Sequence, residues 1–112
     1  MGQFTEMSIQ IESQSEESAE KIADQIQNLN EYLTPKMGGK EFHTSINSID
    51  TDGNTVYVEL SSGRFTNAEW QTNQILEMLK DLFKGEFTTF TADYTVPETL
   101  IYQEFDDKGE QI

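Results

Sequence analysis

The chain has no cysteine, one histidine, two prolines and only seven basic residues among its 112 positions. Without cysteine there is no disulfide framework, no thiol nucleophile and no zinc–thiolate centre. With His43 as its one imidazole, it has neither a Cys–His pair nor a histidine-based metal site. No apolar run approaches the ~20 residues that a membrane span needs, and no signal-peptide pattern precedes the first structured segment. The seven bases face 21 acids, giving a formal charge of −14. A surface of that sign repels DNA, RNA and anionic lipid, so no direct nucleic-acid or membrane partner is expected. These exclusions point to a cytoplasmic protein without cofactor or metal.

Leu, Ile, Val and Phe supply 26 residues, just above the level of roughly one fifth at which strong net charge predicts disorder. The chain should therefore fold, as one domain over residues 1–112 with a small core. From Glu6 to Glu12, Met7, Ile9 and Ile11 alternate with polar residues, the period of a strand buried on one face. Ser13 to Ser18 offers cap residues and first-turn acids, suited to the positive end of a helix. Ala19, Ile22, Ala23, Ile26, Leu29 and Leu33 then recur at helical spacing, and Thr34-Pro35 should end the helix.

Two strand-like runs, 41–49 and 55–61, flank an Asp-Gly turn at Asp52-Gly53, with Phe42, Ile46, Val56, Val58 and Leu60 as the inner face. Thr66 and Glu69 have the spacing of a capping box. Behind them Ala68, Thr72, Ile75, Leu76, Leu79, Leu82 and Phe83 predict a buried helical stripe, closed by Gly85. Residues 87–96 alternate again, 99–105 predict a further short strand, and 106–112 are expected to form a turn or a frayed tail. The order β-α-β-β-α-β predicts a ferredoxin-like α+β two-layer sandwich, an antiparallel sheet with two helices on one face and an extra strand at the end.

Motifs for chemistry fall short. Gly38-Gly39-Lys40 resembles a phosphate loop, but Thr34 stands at the first glycine and Glu41 at the magnesium-binding hydroxyl. Asp50, Asp52 and Asn54 open like a calcium loop, yet Thr55 and Ser61 occupy the places of its glycine and final glutamate. Ser61-Ser62-Gly63 lacks the glycine before a nucleophile elbow. Glu6 replaces the hydroxyl residue of a myristoylation signal. Paired carboxylates serve acid–base chemistry where apolar walls raise one pKa. Glu59 and Glu104 are the acids to inspect for it, although most acids fall on polar faces.

The distribution of charge carries more. Residues 1–35 and 86–112 each hold seven acids and one lysine, whereas 36–64 and 65–85 are each close to neutral. If the first and fourth strands are neighbours, an acidic flank results. Glu12, Glu16, Glu17, Glu20, Asp93, Glu98 and Glu104 are the expected contacts for a basic or neutral protein partner. Trp70 falls opposite the apolar stripe of the second helix, an exposed hot-spot candidate.

The expected function is that of a small acidic non-enzymatic interaction protein. Its sharpest form is an inhibitor of phage or mobile-element origin, masking a nucleic-acid-binding protein by charge mimicry. The alternative is a dimeric ferredoxin-like ligand-binding domain or minor enzyme, with His43, Tyr57 and Thr91 lining the open sheet face and a homodimer forming through a sheet edge or face.

Overall fold

A computed structural model describes residues 3–36, 44–65, 68–96 and 102–112. Five strands and two helices follow in the order β1 (Gln3–Ser13), α1 (Glu16–Lys36), β2 (Thr44–Asp52), β3 (Thr55–Phe65), α2 (Ala68–Phe83), β4 (Phe87–Val96) and β5 (Tyr102–Phe105). The strands form one antiparallel sheet ordered β2-β3-β1-β4-β5. The first and fourth strands are thus neighbours, and the β2–β3 hairpin lies on the other side of β1.

Alternation in β1 produces the layering. Met7, Ile9 and Ile11 are buried and stand in register with Leu60, Val58 and Val56 of β3, and Ile9 and Ile11 also with Ala92 and Phe90 of β4. Ala19, Ile22 and Ile26 of α1 and Ile75, Leu76, Leu79 and Phe83 of α2 complete the same cluster. One sheet face therefore packs on both helices. The other carries Ser8, Gln10 and Glu12 and is solvated.

Local chemistry sets the boundaries. The Ser18 amide donates to Ser15 Oγ at 3.1 Å, so Ser15 caps α1. The helix runs on through Pro35 to Lys36 rather than stopping at Thr34, since proline in the last turn forfeits a single hydrogen bond. The β2–β3 turn has only two central residues, Gly53 and Asn54. Gly53 alone takes a positive φ, 61°, the pattern of a type II′ hairpin.

Three details go beyond the sequence pattern or against it. The β2 register shifts between Ile46 and Ser48. This bulge turns both Ile46 and Ile49 toward the core, although plain alternation would oppose them. Residues 106–112, expected as a turn or a frayed tail, form the turn. Asp106 Oδ1 accepts the Lys108 and Glu110 amides at 2.9 and 3.0 Å, the Ile112 amide donates to the Glu104 carbonyl at 2.8 Å, and Phe105 bridges to Gln111. Finally, Leu82 is not part of the buried stripe: it is 50% exposed, whereas Lys80 is 9% exposed. Phe105 covers the Lys80 side of α2 and rotates the buried face toward it.

Phe42, His43 and the Thr66 cap lie outside the described residues, as do the side chains of Trp70 and of Ala68, Glu69 and Thr72. No helix among the described residues is long and apolar enough to cross a membrane.

Candidate functional site

The helix-free face is assembled row by row from the register. One row runs Asp52, Thr55, Glu12, Thr89. The next runs Asp50, Tyr57, Gln10, Thr91, Glu104, and the third Ser48, Glu59, Ser8, Asp93, Tyr102. Glu6 follows beside Ser61. Seven carboxylates thus share one face, and no described lysine or arginine side chain lies in these rows.

Their placement has a regularity that the chain order hides. No two of the seven are direct cross-strand partners. Each stands opposite a hydroxyl, aromatic or aliphatic residue, as Glu59 and Asp93 both stand opposite Ser8. Ser8 Oγ donates to Glu59 Oε2 at 2.7 Å. With strands about 4.8 Å apart and alternate residues about 6.7 Å apart, neighbouring acids are separated by roughly 7–10 Å. Direct opposition of like charges destabilises a sheet. The stagger avoids that penalty while keeping the field of one sign.

Glu12, Asp93 and Glu104 of the expected contact set lie on this face. Glu16, Glu17 and Glu20 do not join them: they occupy the exposed first turns of α1, beyond the end of β1. Glu98 is outside the described residues. The near-neutral hairpin segment also contributes, through Asp50, Asp52 and Glu59, so the acidic face extends across all five strands. Net charge concealed this because the described bases of the segment, Lys36 and Arg64, hold backbone positions outside the rows. Lys36 closes α1, Arg64 is next to the last residue of β3, and Lys40 lies outside the described residues.

Tyr57 and Thr91 share the central row, one on each side of Gln10, and His43 is outside the described residues. A depression of about 150 Å³ opens here, lined by Gln10, Glu12, Thr55, Thr89 and Thr91. Its lining offers three hydroxyls, an amide and one carboxylate, groups that hydrogen-bond a polar or cationic side chain. Glu59 and Glu104 do not form an acid–base pair, because β1 and β4 lie between their strands. Among the described residues no group of three or more His, Asp or Glu is arranged to hold a metal ion. No family model, curated protein or solved structure matches the chain.

Proposed function

We propose that this chain is a small non-enzymatic interaction protein whose open sheet face docks on a basic protein surface. The basic surface it suits best is the nucleic-acid-binding face of a partner, occupied by charge mimicry. One observation carries the reading: seven carboxylates, spaced by neutral hydrogen-bonding residues, share a face that no helix covers. Such a field speeds encounter with a cationic partner and falls off with salt. A second copy meeting this face would oppose acid with acid, so the partner is a different protein. We also read β2-β3-β1-β4 as a ferredoxin-like arrangement with β5 added beside β4. Supporting that reading is β1 paired antiparallel to both β3 and β4.

The test immobilises the protein and exposes it to extract of its source cell at about 50 mM and about 500 mM NaCl, a span over which screening changes strongly. Basic nucleic-acid-binding proteins should be captured at low salt, displaced by duplex DNA, and lost with the triple variant Glu59→Gln, Asp93→Asn, Glu104→Gln. Capture that is indifferent to salt, or equal with the folded triple variant, overturns the proposal.

A further inference from the structure

Among the described residues three large apolar side chains are markedly exposed: Leu82, Tyr102 and Ile112. Two of them belong to the acidic face. Tyr102, 61% exposed, pairs with Asp93 and lies two residues before Glu104 on β5. Ile112, 75% exposed, donates its amide to the Glu104 carbonyl beyond the Phe105–Gln111 bridge. That register makes Ile112 the cross-strand neighbour of Glu104 and sets both on one face. Glu104 is therefore flanked by an aromatic ring about 6.7 Å along the strand and an aliphatic side chain about 5 Å across it.

Single exposed apolar residues are ordinary, but two beside one carboxylate at the margin of a charged face make a mixed surface. Exposed ion pairs contribute little while water surrounds them. A ligand side chain that covers Tyr102 and Ile112 removes that water and strengthens the pairing of Glu104 and Asp93 with its cations.

We propose that the β5 margin is the anchor of the docking face, and that the partner presents a cationic protein segment in which apolar side chains are interleaved with Lys or Arg. This rests on the function proposed above and adds to it the apolar component of recognition. The carboxylates alone would accept any polycation. Tyr102 and Ile112 select one with apolar side chains at the same site.

Two synthetic peptides of equal length and charge serve as probes, one alternating Lys with Leu and one alternating Lys with Ser, with binding read by fluorescence anisotropy. The Lys–Leu peptide should bind about tenfold tighter than the Lys–Ser peptide at about 50 mM NaCl, and both should weaken toward about 0.5 M NaCl, where charge is largely screened. The double variant Tyr102→Ser, Ile112→Ser should bind both peptides alike and leave the Lys–Ser affinity unchanged, with thermal melting showing that it folds. Equal binding of the two peptides to the unaltered protein, or a preference that survives the double variant, overturns the inference. Salt-sensitive Lys–Ser binding in that case still supports the docking function. Failure of both peptides to bind removes both readings. Sedimentation showing a dimer that the double variant abolishes would assign the margin to a second copy and overturn the inference as well.

Discussion

The Lys80 ammonium lies 4.3 Å from the centre of the Phe105 ring and 2.7 Å from the Glu77 carboxylate. Phe105 in turn packs edge-on against Phe90, their ring centres 6.0 Å apart. One residue thereby joins the four-residue β5 to both α2 and β4. Phe105→Ala should lower stability by about 3 kcal/mol, as expected for a buried ring, and the melting temperature by roughly 10 °C or more. Lys80→Met keeps the apolar stem and loses only the charge, so its loss should stay below about 1 kcal/mol. Thermal unfolding of the two variants checks this. Equal losses would mean that the cation, and not the ring, holds the strand.

Ser13 ties three elements together. Its amide and hydroxyl both donate to the Asn54 carbonyl at 2.8 Å, its hydroxyl also reaches the Ser15 carbonyl at 2.9 Å, and its own carbonyl accepts from Asn54 Nδ2 at 2.9 Å. The end of β1, the cap of α1 and the β2–β3 turn are fixed to one another here. Because Ser13 is buried, Ser13→Ala should cost about 1–2 kcal/mol, and urea unfolding should show it as a lower midpoint at unchanged slope.

Much of this architecture is legible in the residues. Met7, Ile9 and Ile11 name the buried face of β1, and Asp52-Gly53 names the hairpin. The Lys80–Leu82 exchange was not legible, because helical spacing ranks residues by hydropathy and cannot see which neighbour arrives later in the chain. Phe105, twenty-five positions beyond Lys80, decides it. The acidic face was half legible. Alternation assigns Glu6, Ser8, Gln10 and Glu12 to one side of β1. Only the cross-strand register shows that Asp50 and Asp52 join Glu104 on that side, four strands away. Counting charge by segment misled in the hairpin, where bases at the ends offset acids within the rows. Tyr102 falls in the expected strand 99–105, but its place beside Asp93, and that of Ile112 beside Glu104, follow from cross-strand register and the closing turn, which alternation within one short run does not give.

The staggered carboxylates repel one another even without direct opposition. Two unit charges about 8 Å apart in water interact by roughly 0.5 kcal/mol before screening, and the Debye length shrinks from about 30 Å at 0.01 M salt to about 8 Å at 0.15 M. Raising NaCl across that range should therefore raise the melting temperature by a few degrees. Asp93→Asn with Glu104→Gln should raise it at low salt and reduce the further gain from added salt. A melting temperature independent of salt in the unaltered protein would contradict the electrostatic account of the face.

Gly109 makes the closing turn possible. Its φ is 78°, and a Cβ at this position would lie 3.0 Å from Cδ of Lys84 and 3.5 Å from its Cγ. Gly109→Ala therefore combines backbone strain with crowding against a side chain that can swing away, so the strain dominates. The loss should be about 1 kcal/mol and local, because the core strands do not pass through this turn. Hydrogen exchange distinguishes this from global destabilisation. The Glu110 and Ile112 amides, bonded to Asp106 Oδ1 and the Glu104 carbonyl, should exchange faster in the variant, while those of Ile9 and Val58 keep their protection. Because Ile112 is held beside Glu104 by that same turn, Gly109→Ala should also weaken the preference for the Lys–Leu peptide without altering Lys–Ser binding. An unchanged preference would show that Tyr102 alone supplies the anchor.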